Sequence, residues 1–166
     1  IADELELSTL NSGLGLHSHS GRWVTYNTPM DGVRKASAHD IVFQAREGSA
    51  ELNCCSVNGP RALGMISDWA LMTGKEGLTV NWYGPGRMQA RVAGTTVVLA
   101  QDTDYPVEPS VVLRVTPKKA TEFVLRLRIP GWSERTRVRV NGETIAGVVA
   151  GGYLALERRW KRGDQV

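Results

Sequence analysis

The chain has 166 residues, which is room for one ordinary domain or two small ones. Hydrophobic residues make up 42% of it and charged residues 22%, with 18 glycines, and this composition excludes disordered and fibrous proteins. No apolar run approaches the roughly 18 residues that span a bilayer, so we expect no membrane partner.

The net charge of +3 is unevenly spread, because residues 1–78 carry −3 and residues 79–166 carry +6. A basic half of the chain is one feature of proteins that bind nucleic acid. Solvated arginines on the faces of strands account for the same charge, and on that interpretation we expect no nucleic-acid partner.

The two ends of the chain suggest that it is a piece of a longer protein. It starts at Ile1 without a methionine, and its last residues resemble the start of a strand. The absence of a signal peptide therefore leaves the compartment open, whether bacterial cytoplasm, periplasm or secreted, and the oligomeric state is equally open.

The first half is mainly helix and loop by its sequence pattern. Residues 3–16 place leucines near helical spacing and predict a helix that frays at Ser12-Gly13. Residues 23–26 predict a short strand, and residues 28–32 a turn. A second helix is predicted with Asn58 as N-cap, Pro60 in the first turn and Gly74 at its end.

After Gly77 the hydrophobic period changes from 3.6 to 2, which predicts a run of short strands. The predicted strands are 78–83, 88–92, 95–100, 111–115, 123–129, 137–140 and 153–157. The strand over 123–129 alternates most clearly, and in it Arg126 and Arg128 are expected on the face opposite the core. Asn141-Gly142 predicts a tight hairpin. Close spacing with Gly/Pro turns favours an antiparallel sandwich or barrel.

The two cysteines, Cys54 and Cys55, are adjacent in the sequence. An adjacent pair excludes a disulfide framework and indicates a reducing compartment, a metal or a reactive thiol. A nearby helix N-terminus favours the thiolate, which attacks carbon or binds soft metals. The alternative is a pair of buried structural cysteines. Two thiols do not complete a zinc site, so further ligands would come from elsewhere.

A set of motifs occurs in one order along the chain. They are Tyr26-Asn27 with Pro29, Cys54-Cys55 with Asn58, the strand over 78–83, Thr103-Asp104-Tyr105-Pro106, Ile129-Pro130-Gly131-Trp132, Val138-Arg139-Val140-Asn141-Gly142-Glu143, Gly152-Tyr153-Leu154 and Arg158-Arg159-Trp160 through Asp164. Together they resemble the β-L-arabinofuranosidase family, glycoside hydrolase family 127. Ser56-Val57 stands where that family's cysteine motif has two prolines.

This resemblance implies a fold and a chemistry. Residues 1–77 would be the C-terminal part of an (α/α)6 catalytic barrel, and residues 78–166 the antiparallel β-sandwich that follows, giving an α+β fold by segment. Cys54 would be the nucleophile of a retaining glycoside hydrolase. Cys55, with Cys54 as a further candidate, would bind zinc. The acid/base glutamate and the other zinc ligands would lie before the chain begins, so the fragment alone would be inactive.

The implied substrate is a β-L-arabinofuranoside or a related glycan. Tyr26, Asn27, Glu51 and Asn58 are the candidate substrate-binding residues. One alternative is a non-catalytic carbohydrate-binding or scaffolding sandwich with structural cysteines, suggested by the aromatic residues on its strands. Another is a thiol redox sensor that uses the vicinal pair.

Overall fold

A computed structural model describes residues 1–17, 20–21, 24 and 54–166 of the chain. The chain divides into two compact units, essentially Asp3–Ile66 and Ser67–Val166. The predicted strand over 23–26 and the turn over 28–32 lie outside the described residues, apart from Val24. Within the described part, no helix is both long enough and apolar enough to cross a membrane.

The first unit begins with a helix, as the leucine spacing predicts. Helix α1 spans Ala2–Ser8 and continues as a π-helical turn over Thr9–Gly13. The wider turn is visible in the hydrogen bond from the Leu14 amide to the Thr9 carbonyl, five residues back, at 2.8 Å. The predicted fraying at Ser12-Gly13 thus takes the form of a widened helix.

The second predicted helix is misplaced at both ends. Helix α2 spans Cys54–Gly64 and the short α3 spans Ile66–Trp69. Asn58 is not the N-cap but an interior residue, and Pro60 lies inside α2 rather than in its first turn. Gly74 does not end a helix.

The helical segment ends earlier than predicted because the residues that follow it form a strand. Residues Leu71–Thr73 form β1, which pairs antiparallel with the next strand, and Gly74 lies in the turn between them, its amide donating to the Gly77 carbonyl at 2.9 Å. Pairing with a buried neighbour outweighs the helical spacing of the apolar residues, which is a weak local preference.

The second unit is built from strands. The remaining strands are β2 (Gly77–Val80), β3 (Gly86–Val92), β4 (Thr95–Asp102), β5 (Val112–Pro117), β6 (Thr121–Arg128), β7 (Val138–Val140), β8 (Glu143–Ile145), β9 (Tyr153–Trp160) and β10 (Asp164–Gln165). They form one sheet of order β1-β2-β6-β9, a second of order β10-β5-β4-β3, and the β7-β8 hairpin. The described fold is therefore mixed α and β, and mostly β.

The prediction of antiparallel pairing is confirmed for every strand pair of the described sheets except one. Strands β2 and β6 run parallel, with Gly77 opposite Val124 and Val80 opposite Leu127. The chain leaves the first sheet after β2, builds β3, β4 and β5 in the second sheet, and then returns. This crossover places β2 and β6 side by side in the same direction.

The predicted strand over 78–83 is too long, because β2 stops at Val80. Beyond it, the amides of Asn81 and Trp82 both donate to the Ala70 carbonyl, at 2.9 and 3.3 Å, and the chain turns out of the sheet. The predicted hairpin at Asn141-Gly142 is confirmed, since both residues have positive φ, 51° and 89°, between β7 and β8.

The two sheets of this unit share one hydrophobic core. Its fully buried side chains come from both sheets and from the β7-β8 hairpin, and they include Leu78, Val80, Val97, Leu99, Val115, Leu125, Val140 and Trp160. The apolar side chains of β6 alternate as predicted and enter the core. The prediction for Arg128 is wrong, because this residue is only 2% exposed and does not lie on a solvated face.

Candidate functional site

The two cysteines are the first two residues of α2, so they lie at the N-terminal end of a helix. Both are free; Cys54 is exposed and Cys55 is half-buried. Backbone N–H groups that point out of a helix N-terminus create a positive potential, which favours a negative sulfur there. The local placement agrees with the sequence argument, although the helix begins earlier than predicted.

The two sulfurs lie close together, with Cys54 Sγ and Cys55 Sγ 3.9 Å apart. Burial raises the pKa of the Cys55 thiol above its ordinary value, and the hydrogen bond and charge of Cys54 raise it further. A raised pKa makes the thiolate of Cys55 less favourable near neutral pH.

The spacing of the sulfurs also fits a shared metal ion. Two thiolates bound to one tetrahedral zinc, each at about 2.3 Å, are about 3.8 Å apart. The observed 3.9 Å separation is compatible with that geometry without movement of the helix. Within the described residues, no group of three or more Cys, His, Asp or Glu side chains is placed to hold a metal. Two sulfurs fill at most two of the four positions of a tetrahedral metal site.

Asn58 lies one helical turn after Cys54. Its Nδ2 donates to the Cys54 carbonyl oxygen at 2.9 Å, and the residue is exposed. The bond fixes the backbone of the residue that carries the candidate nucleophile. The other predicted substrate-binding residues, Tyr26, Asn27 and Glu51, lie outside the described residues.

Sequence reasoning missed a cavity of about 800 Å³ in the second unit. Its walls include Tyr105 and Trp132, which belong to two of the family-like motifs, and Arg137 and Arg139. The sequence leaves core packing and a sugar platform open for Trp132, and its side chain is 65% exposed. One feature of the sequence indicates that Trp132 is exposed: it follows Pro130-Gly131, beyond the end of the alternating strand.

Comparison with known proteins gives a consistent result. Residues 77–166 match the sequence model of a family described as beta-L-arabinofuranosidase, GH127 middle domain. The structure resembles that of a GH127 β-L-arabinofuranosidase from Geobacillus stearothermophilus T6, with 28% identity and a TM-score of 0.77. That likeness covers 99% of this chain and 27% of the other. No curated protein matches the chain.

Two further solved structures are similar over 99% of this chain. One is described only as a glycoside hydrolase, with 29% identity, a TM-score of 0.80 and 28% of its own length covered. The other is a GH127 β-arabinofuranosidase, with 25% identity, a TM-score of 0.75 and 28% covered. The chain thus spans little more than a quarter of the length of these solved relatives.

Proposed function

The chain belongs to the GH127 β-L-arabinofuranosidase family, and from this premise we propose that it is part of a retaining glycoside hydrolase acting on β-L-arabinofuranosides or related glycans. The names of the similar structures support this substrate class. Residues 1–77 would come from the closing part of an (α/α)6 barrel and residues 78–166 from the β-sandwich. The match to a middle domain over 77–166 supports the second assignment.

Cys54 is the proposed nucleophile, and the observation that carries the proposal is its exposed thiol in the first turn of α2. Its sulfur would attack the anomeric carbon, forming a C–S bond while the glycosidic C–O bond breaks. An acid/base residue outside the described site would protonate the leaving oxygen. The same residue would then take a proton from a water that attacks this carbon, the sulfur would leave as thiolate, and two inversions would give retention.

Cys55 is the proposed metal ligand, with Cys54 as its neighbour on the same ion. When bound, zinc would supply the positive charge that keeps both sulfurs deprotonated near neutral pH. The 3.9 Å separation of the two sulfurs supports this pairing. Asn58 holds the backbone of Cys54, and Tyr26, Asn27, Glu51 and Asn58 stay proposals for contacts with the sugar.

The decisive experiment uses a full-length protein that carries this sequence and a nitrophenyl β-L-arabinofuranoside. We expect Cys54→Ala to lower kcat by about a thousandfold or more, because no covalent intermediate forms. Val57→Ala is the matched control, since Val57 is 61% exposed on the same helix and has no assigned role. It should keep wild-type kinetics.

Hydrolysis that survives in Cys54→Ala would contradict the assignment of the nucleophile. Metal content of the same preparations tests the second role, because Cys55→Ser should bind less zinc than wild type while Val57→Ala should not.

A further inference from the structure

The cavity of the second unit has no role in the chemistry proposed above. It measures about 800 Å³ and lies at the surface of the sandwich. The lining residues that matter here are Tyr105, Trp132, Ser133, Thr136, Arg137 and Arg139. A volume of this size accommodates a ligand of several rings.

One wall of the cavity is an aromatic platform. The rings of Trp132 and Tyr105 are nearly parallel, 15° apart, with centroids separated by 6.5 Å. A further ring between them would need about 7 to 8 Å, since carbon atoms pack at about 3.5 to 4 Å from each face. A ligand ring would therefore lie against the outer face of the platform instead of between its two rings. Trp132 offers most of the surface, because it is 65% exposed.

The platform is held in place from behind. The ring of Tyr83 meets the ring of Tyr105 edge to face, with centroids 6.2 Å apart. Tyr83 is buried, and its hydroxyl donates to the Arg128 carbonyl oxygen at 2.6 Å. A rigid, exposed aromatic surface loses little conformational entropy when a ligand binds, which is typical of binding sites.

Positive charge borders the same cavity. Arg137 and Arg139 belong to the lining of the cavity, and both are exposed. Arg139 lies on the face of β7 opposite to Val138 and Val140, whose side chains are buried. Neither arginine is a partner in the ion pairs Arg114–Asp102 and Arg126–Glu76. The guanidinium group matches the two oxygens of a carboxylate.

Hydroxyl groups complete the polar side of the cavity. Ser133 Oγ and Thr136 Oγ1 lie 2.7 Å apart, and Thr136 Oγ1 also donates to the Ser133 carbonyl oxygen at 3.0 Å. These bonds fix the turn between Trp132 and Arg137. An aromatic surface, hydroxyl groups and two arginines thus line one cavity.

We propose that this cavity binds a uronate-bearing oligosaccharide, with one sugar ring against Trp132 and carboxylates at Arg137 and Arg139. The carbohydrate class of the ligand rests on the proposed function, whereas its negative charge follows from the two arginines. The site would hold an acidic glycan on the sandwich, away from the cysteines in sequence and in a different unit of the chain.

Calorimetric titration of a full-length protein that carries this sequence with tri-galacturonate tests the proposal, with the methyl-esterified trisaccharide as the uncharged counterpart. We expect the charged trisaccharide to bind more tightly, and salt to weaken its binding. Trp132→Ala should weaken it about tenfold. The double variant Arg137→Gln/Arg139→Gln should reduce its affinity to that of the ester.

Arg159→Gln is the matched control, because Arg159 is exposed on β9 and does not line the cavity. It should bind as wild type does. Equal binding of the two trisaccharides, no binding of either, or equally tight binding of single-stranded DNA that ignores Trp132→Ala would each overturn the proposal. Failure here is separable from failure of the proposed hydrolysis, since this assay needs neither cleavage nor Cys54.

Discussion

Asp164 is a buried carboxylate that ties two parts of the second unit together. It is 2% exposed, its Oδ1 accepts from Asn141 Nδ2, and its Oδ2 accepts from the Lys161 amide, both at 2.9 Å. Burial raises its pKa, but these hydrogen bonds and the charges of Arg158 and Lys161 outweigh burial. The pKa therefore lies below its ordinary value of 3.8.

A carboxylate with a lowered pKa stabilises the folded state above its unfolded pKa, and this contribution is lost as pH falls through the folded value. We expect Asp164→Asn to lower the free energy of unfolding by about 1 to 2 kcal/mol at pH 7. The deficit should shrink as the pH falls below about 4. Urea denaturation of the 166-residue chain at pH 7 and pH 3 measures both effects.

Asp102→Asn is the control for this prediction, since Asp102 pairs with Arg114 at 3.3 Å on the surface. Exposed ion pairs contribute little, so the change should stay below about 0.5 kcal/mol. A deficit for Asp164→Asn that is the same at both pH values would contradict the role given to its charge.

Arg128 shows what alternation along a strand does not reveal. The pattern of β6 correctly predicts which side chains enter the core. It does not predict that Arg128 is buried, with its Nε donating to the Asn81 carbonyl at 2.7 Å and its guanidinium 5.6 Å from the Tyr83 ring centre. These partners lie more than forty positions away in the chain, so no local pattern contains them.

At the scale of elements, the parallel contact of β2 with β6 depends on a glycine. A Cβ added at Gly77 would overlap the backbone of Val124, with its carbonyl oxygen as the nearest atom. Since that atom belongs to the paired strand, the clash cannot be relieved by rotating a side chain. Only glycine allows the two backbones to approach this closely.

Gly77→Ala should therefore cost about 3 kcal/mol of unfolding free energy or more, because one strand must move away from the other. Gly86→Ala is the matched control, since it also replaces the first glycine of a strand but meets no atom within 4 Å. Thermal unfolding of both variants compares them directly. Equal melting temperatures would contradict the close approach seen at Gly77.

Two hairpins show why some turns are predictable and others are not. Asn141 and Gly142 both have positive φ, and both residue types tolerate that conformation, so their pair predicts the β7-β8 turn. The β3-β4 turn uses Ala93 and Gly94 at φ 48° and 71°. Alanine rarely adopts positive φ, so only the pairing of the flanking strands specifies this second turn.

At the scale of the whole molecule, the second unit contains a hydrophobic core of its own. Each buried member of the core cluster lies between Leu78 and Trp160, and the partly buried side chains packed on it lie between Leu71 and Val166. A unit that buries its apolar residues among themselves satisfies the main requirement for independent folding. The sequence predicted this core through the period-2 alternation of its strands.

We expect a polypeptide of residues 67–166 to fold alone, because every member of its core among the described residues lies at or after Leu71. It should show a single cooperative transition in urea and near-ultraviolet circular dichroism from the buried Trp160. A gradual transition without fixed aromatic signals would contradict this expectation. The 166-residue chain, measured in parallel, is the reference.

The crossover between β2 and β6 also orders the events of folding. Strands β3, β4 and β5 pair with their neighbours in sequence, so their contacts close short loops at low entropic cost. Strand β2 has to wait for β6, which follows that meander in the chain. During synthesis on the ribosome, β2 would emerge early and keep its β6-facing edge unpaired until β6 has been made. We expect the pairing of β2 with β6 to be a late step of folding. The rate of this step would set how long an aggregation-prone strand edge is exposed.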